Sequence, residues 1–423
     1  MNIFSQYRGM KKEIYILFIG KFVTAMGAFV WPMLTFFLTE KLSFADDVAA
    51  LIIAAASLVV LPASLLGGKL ADRFSRKYII IIFDMCTVAT GVLAAILPIG
   101  YHTAVLIFFS AMFQSIETPA YDALNADFST TAQREKAFSL SYLGYNLGFV
   151  GGASLSGILF QDHLRLAFLL NALSIFISTV LIFFFVDPRN AVGQAEEAEH
   201  PEELGPYEQP APEGTSTLDI LRQRKVLLYM ILIGCVASMP NVITGMVLPL
   251  QMKNYVTDYA AIYGYMNSLN GLTVILFTPL LTLLLRRITE IPKASAGMLL
   301  FVGGMVLYAS CPPTPVLFLG MFVYTLGEVV SVLGANPYAS RRVPASHRGR
   351  ISGISSVIGT LFYTVTQFSV SLILRVSGGN YLVIWMIFIC IGILAATLYA
   401  FAYFPDKSTF PALYPKRRSK SLE

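Results

Sequence analysis

Twelve apolar runs, each roughly 18 to 25 residues long and parted by short polar breaks, restrict this chain more than any other feature. They fall at 14–38, 48–67, 78–98, 103–125, 137–160 and 164–186, then at 226–250, 261–285, 294–311, 315–338, 351–375 and 381–404. A helix that crosses a bilayer needs roughly 20 apolar residues. In hydrocarbon each backbone donor and acceptor must find its partner inside the protein, which favours helices over open strands. The chain is also 56% hydrophobic and 13% charged, against about a quarter charged in soluble domains. It has too little charge to cover a water-facing surface. The first run is too long for a cleaved leader and no small-residue cleavage site follows it, so it reads as the first membrane helix.

The longest break, 187–225, divides the runs into six and six. Its stretch 194–214 is rich in Glu and Pro with almost no large apolar residue, which predicts a mobile linker. The expected organisation is an N-terminal bundle over 1–186, a cytoplasmic linker over 187–225, and a C-terminal bundle with a short cytoplasmic tail over 226–423.

Lys and Arg set the orientation. Alternate loops carry Arg8, Lys11 and Lys12; Lys69, Arg73, Arg76 and Lys77; Arg134 and Lys136; Arg222, Arg224 and Lys225; Arg286, Arg287 and Lys293; Arg341, Arg342, Arg348 and Arg350; and Lys416, Arg417, Arg418 and Lys420. The other loops hold only Lys41, Arg165, Lys253 and Arg375. This asymmetry places both termini and the linker in the cytoplasm of a multi-pass plasma-membrane protein. The formal charge of +5 is spread among these loops, so it reports topology and not nucleic-acid binding. Asn-x-Ser/Thr acceptors are missing, in keeping with a bacterial membrane.

The two halves echo each other. The fourth run and its exit carry Glu117, Asn125, Asp127 and Arg134; the tenth carries Glu328, Asn336, Arg341 and Arg348. Each precedes a glycine-punctuated helix, with Gly144, Gly148, Gly151 and Gly152 in one half and Gly349, Gly353 and Gly359 in the other. Small residues at such spacing let helices approach closely in lipid. A duplicated six-helix unit puts a binding site near the midplane, between the halves.

Charges inside the runs are costly in lipid and point to function. Glu117 lies ten residues before Asp127, about 15 Å along a helix. Glu328 lies similarly far before Arg341, and Lys21 is nine residues past Lys12, so all three fall near mid-membrane. Lys21 could pair with Glu117 or Glu328. A carboxyl in a partly dry cavity is held towards its neutral form, which suits it to carry a proton. Glu117 shares one helix face with Ser110, Gln114, Tyr121 and Asn125. Asp84, in the peripheral third run, reads as a structural partner. In the C-terminal half Ser238, Asn241 and Gln251, then Tyr263, Asn267 and Asn270, then Tyr363, Gln367 and Ser371 form further polar stripes. With Trp31 these could line one cavity or bind helices together.

The stretch 68–77, Gly-Lys-Leu-Ala-Asp-Arg-Phe-Ser-Arg-Lys, resembles the major facilitator superfamily signature G-x-L-A-D-R-x-G-R-K, with Ser75 in place of Gly. The resemblance implies a fold of two pseudo-symmetric six-helix bundles that work by alternating access. It also implies a cytoplasmic lock made of Gly68, Asp72, Arg73 and Arg76 with Asp127 and Arg134, in which Asp72 faces the N-terminus of the eleventh helix near Ile351 and Gly353. The run 322–330, Phe-Val-Tyr-Thr-Leu-Gly-Glu-Val-Val, is similar to the tenth helix of bacterial proton–multidrug antiporters of the LmrP type. That likeness would give Glu328 a part in proton coupling. The antiporter motif of the fifth helix is only partly kept, since Ala153 stands where Pro is expected, and this leaves the direction of coupling open.

The expected function is proton-coupled export of amphipathic, cationic organic compounds by a monomer. The site residues expected are Glu328 and Glu117 for protons, and Lys21, Trp31, Gln114, Tyr121, Asn241, Asn267, Asn270, Tyr363 and Gln367 for substrate. The alternatives are proton-coupled uptake of a peptide, sugar or metabolite, and a lipid-headgroup flippase. GxSxG, P-loop and HExxH motifs are absent, the four cysteines form no CxxC pair and the four histidines show no ligand spacing. Neither an enzyme, a cofactor nor a metal site is expected, and the partners are a small molecule, protons and lipid.

Overall fold

A computed structural model describes residues 7–130, 133–192, 205–212 and 214–414, apart from the side chains of Trp31, Glu135, Asn336, Ser340 and Ala345. Among the described residues there are fourteen α-helices. They are α1 (Lys12–Met26), α2 (Val30–Phe36), α3 (Asp46–Arg73), α4 (Arg76–Ile96), α5 (Tyr101–Asp127), α6 (Arg134–Asp162), α7 (Leu164–Phe185), α8 (Thr217–Gln223), α9 (Lys225–Met252), α10 (Tyr259–Leu284), α11 (Glu290–Ala309), α12 (Thr314–Ser340), α13 (Arg348–Val376) and α14 (Tyr381–Thr409). Ten are long and apolar enough to cross a bilayer. The other two spans escape that test for different reasons. The helix α5 carries Gln114, Glu117 and Asp122, and the first span is broken into α1 and α2.

The break differs from the single run expected over 14–38. Helix α1 ends at Met26 and the chain restarts at Val30, continuing through a π turn at Phe37–Lys41. A carbonyl freed inside a membrane must be satisfied by a neighbour. Here Asn171 of α7 donates to Gly27 O at 2.5 Å, which makes the interruption tolerable.

Packing repeats between halves. In the first, α1 packs on α6 and α7, α3 on α5, and α4 on α5 and α7; in the second, α9 packs on α13 and α14, α10 on α12, and α11 on α12 and α14. The bundles meet where α3 lies on α13 and α6 on α10. All of these contacts come in matched pairs, as a pseudo-two-fold axis requires. Three of the four α6 glycines act as expected: a Cβ at Gly144 would strike Phe18 of α1, and one at Gly148 or Gly152 would strike α1 at Phe22, Ala25 and Met26, whereas Gly151 faces open space. Their counterparts Gly349, Gly353 and Gly359 in α13 face open space instead.

That contrast reflects the state of the molecule. At the end opposite the 68–77 loop, one apolar core runs through both bundles, with Phe36, Phe37 and Phe160 from the first and Met246, Tyr263 and Trp385 from the second. At the basic end there are two separate cores, one around Ile14, Ile79 and Phe128 and the other around Ile220, Ile351 and Phe410. The bundles are joined at one end and apart at the other.

The linker is not wholly loose. Residues 193–204 and 213 lie outside the described residues, as do the tail basics Lys416, Arg417, Arg418 and Lys420. The part that follows docks on the C-terminal bundle: Arg348 pairs with Glu208 at 2.8 Å, Arg224 donates to Tyr207 O at 3.1 Å, and Tyr207 packs edge-on against Phe410. Composition predicts mobility here because contact-making residues are sparse, yet Tyr207 and Glu208 both find partners.

Candidate functional site

Glu328 sits mid-way along α12 and is half-buried. Asn270 of α10 donates to its Oε2 at 3.2 Å and to Thr325 Oγ1 at 2.9 Å, tying two helices to one carboxyl. One turn earlier Tyr324 donates to Asn241 Oδ1 of α9 at 2.8 Å. From the other bundle, Tyr142 of α6 lies within electrostatic range of Glu328. This acid therefore stands at the seam between the bundles, with amides and phenols around it. Asn267 donates to Tyr263 O of its own helix at 2.8 Å, and Tyr363 is exposed on α13.

Glu117 belongs to a second group. It is buried in α5 within electrostatic range of Lys21 and Asp122. Lys21 makes no ion pair among the described residues; its ammonium lies 4.4 Å from the centroid of the Tyr121 ring. No hydrogen bond or ion pair joins the Glu117 and Glu328 groups among the described residues.

Several expected cavity residues are spent on structure. Tyr121 is buried and donates to Leu17 O at 2.5 Å, so it fastens α5 to α1. Gln367 is buried and accepts from Ser57 of α3 at 2.6 Å, which makes it an inter-bundle contact. Gln114 donates to Ser110 Oγ at 3.2 Å and lines a small pocket with Asn171 and Phe168. Gln251 accepts from Trp385 Nε1 at 2.5 Å and donates to Tyr308 O at 3.1 Å. The side chain of Trp31 is outside the described residues.

The lock residues divide too. Arg76, first residue of α4, is ion-paired with Asp127 at the end of α5, as the resemblance implies. Asp72, Arg73 and Arg134 are exposed with no hydrogen bond among the described residues, and Gly68 faces open space. Asp72 does not reach α13, contrary to expectation. The contact needs the basic ends together, and here they are apart.

Sequence reasoning missed the C-terminal counterpart of the Arg76 pair. Glu290, first residue of α11, pairs with Arg341 at 2.8 Å and with Arg342 at 3.2 Å. Arg342, fully buried, also takes both oxygens of buried Asp406 at 2.8–3.0 Å, and Tyr338 and Tyr414 donate to the same carboxyl. The signs are reversed: a cation starts the helix in one half, an anion in the other. A lone Asp after Pro405 in an otherwise apolar run was the available signal. Also missed were the clasps at the far end, where Lys253 pairs with Asp46, Tyr381 donates to Asp46, and Tyr259 donates to Glu40.

The family model described as Major Facilitator Superfamily matches residues 17–367. The chain belongs to the major facilitator superfamily. Among curated relatives, the "Uncharacterized MFS-type transporter YttB" of Bacillus subtilis (strain 168) is 23% identical over 83% of this chain and 85% of its own length. A "Na(+), Li(+), K(+)/H(+) antiporter" of Planococcus maritimus is 23% identical over 81% of this chain and 84% of its own. The "Quinolone resistance protein NorA" of Staphylococcus aureus is 27% identical over 43% of this chain and 47% of its own. Of solved structures, the POT family transporter PepTSo superposes with a TM-score of 0.74 over 94% of this chain and 98% of that one, at 16% identity, which speaks to the superfamily fold alone. The chain is thus a multi-pass superfamily transporter of two six-helix bundles.

Proposed function

We propose that this transporter exports amphipathic, cationic organic compounds in exchange for protons, by alternating access across a bacterial plasma membrane. The observation that carries the reading is Glu328: an acid mid-way along a span, half-buried at the bundle seam and held by Asn270. A carboxyl so placed can trade a proton for a cation, and either exchange alters the cost of bringing the bundles together around it. Aromatic rings nearby suit lipophilic cations. The names of the antiporter and quinolone-resistance relatives point the same way. In this reading both termini are cytoplasmic, the 68–77 loop and the open end face the cytoplasm, and Asp72 locks that end when it closes.

Inverted vesicles carrying the protein test it. An inward-acid proton gradient should drive accumulation of a fluorescent lipophilic cation, and collapsing the gradient should release it. Lys21 favours a second reading, proton-coupled uptake of an anionic peptide or metabolite, since its ammonium is not ion-paired among the described residues. In the same vesicles that reading requires substrate to move outward down the proton gradient, so flux direction separates the two.

A further inference from the structure

Four spans of the N-terminal bundle build a polar layer that the export reading does not use. Gly20 of α1 lies against Ser178 Oγ of α7 and the Tyr121 hydroxyl of α5. The next residue, Lys21, lays its ammonium over the Tyr121 ring. Glu117, one turn before Tyr121, is 8% exposed, and among the described residues its hydrogen bonding is limited to a long 3.5 Å contact from Thr118. Asp84 of α4 is also 8% exposed, with its Oδ2 2.8 Å from Thr179 Oγ1 of α7. Asp84, Glu117 and Lys21 are within electrostatic range of one another.

Two features of this layer are consistent with a proton. Thr179 Oγ1 is 2.8 Å from Asp84 Oδ2 and 2.9 Å from Ile175 O. A hydroxyl has one hydrogen to give. A backbone carbonyl can only accept, so if the threonine serves Ile175, its lone pairs are free to accept a hydrogen from a neutral Asp84. The second feature is charge. Two ionised carboxyls against one ammonium would leave a negative charge uncompensated in the membrane interior, at a cost of several kcal/mol.

The surrounding elements bring no second cation. On α4 itself, Arg76 is taken by Asp127, and Lys77 by the carbonyls of Phe183 and Val186. The charges of α3 lie at its two ends (Asp46 and Asp47, then Lys69, Asp72 and Arg73), those of α6 likewise (Arg134, Glu135 and Lys136, then Asp162), and α7 has Arg165 at its start. On α5, Asp122 adds a further acid but is exposed.

We propose that Asp84 and Glu117 share a single proton, set against the one ammonium of Lys21, so that the N-terminal bundle holds a titratable pair of its own in addition to Glu328. The proton rests on one carboxyl or the other, which no direct hydrogen bond joins among the described residues, and no other bond is made or broken. The pair itself does not depend on the export reading; only its use in coupling does.

Infrared titration of the full protein in lipid, following the C=O stretch of protonated carboxyls, tests this without substrate. At neutral pH a protonated-carboxyl band is expected that is lost in Asp84→Asn. It is equally lost in Glu117→Gln, because the remaining acid then balances Lys21 unaided. Thr179→Val, which removes the hydrogen-bond partner and keeps the shape, should shift the same band. Glu328→Gln should leave it in place. A band that survives Asp84→Asn, or one that survives Glu117→Gln, overturns the shared proton. If Asp84→Asn fails to fold, an unshifted band in Thr179→Val does so instead. Since no transport is measured, a failure here is distinct from failure of the exporter reading.

Discussion

Lys253, just past the end of α9, is ion-paired with Asp46, the first residue of α3, so one charge pair ties the two bundles together at the end opposite Asp72. Tyr381 donates to the same Asp46 carboxyl, and Tyr259 reaches across to Glu40. Ser371 adds a bond to Asp47 O at 2.8 Å. Such a clasp must open before substrate can exchange on that side.

Asp46→Asn is expected to loosen it. The pair is partly exposed, so about 1 kcal/mol is at stake, or roughly a fivefold shift in population. Distance measurements between spin labels on the far ends of α3 and α9 should show a larger open fraction than in the unmodified protein. An unchanged distribution would leave the clasp without consequence.

Asp72→Asn is expected to act in the other direction. Asp72 has no hydrogen bond or ion pair among the described residues, where the basic ends are apart, and its contact with α13 would form only when they close, where a helix N-terminus favours an anion. The variant should lower the population closed at the basic end and slow cycling. Labels across the loops at 68–77 and 341–350 would report it, and identical distributions would remove Asp72 from the lock.

Asp406→Asn removes one partner of a buried charge cluster and leaves fully buried Arg342 under-compensated. Loss of about 3–5 kcal/mol is expected. It should appear as a large drop in thermal unfolding temperature in detergent, whereas Asp187→Asn, at an exposed pair with Arg189, should change little. Equal effects would contradict the assigned burial.

Gly152→Leu should prevent α6 from closing on α1, since even a Cβ meets the backbone of Ala25 and Met26. Folded yield is expected to fall sharply. The matching change Gly353→Leu, at a position where a Cβ meets nothing within 4 Å, should be tolerated in folding and act only when the basic end closes. A well-folded Gly152→Leu protein would contradict the packing.

The spans and their loops were legible because lipid imposes a length and an apolar composition that a sequence carries openly. Arg76 and Asp127 were legible through a local motif whose pairing the superfamily resemblance supplied. The break at Gly27 was not, since an interrupted helix in lipid depends on Asn171 from a distant span. The Arg342–Asp406 cluster and the Asp46–Lys253 clasp were hidden for the same reason: each joins ends far apart in sequence. Tyr121 and Gln367 share the stripe pattern of binding residues, but a stripe cannot tell a wet face from one spent on Leu17 O or Ser57.

We propose that Glu328, at the bundle seam, couples proton movement to transport. The most direct measurement is proton-driven uptake of a lipophilic cation into inverted vesicles by the Glu328→Gln protein, with unfolding temperature and membrane yield matched to the unmodified chain. Flux should fall to the level of protein-free vesicles and lose its dependence on the proton gradient. Gradient-dependent uptake that persists at the unmodified rate would remove Glu328 from proton coupling.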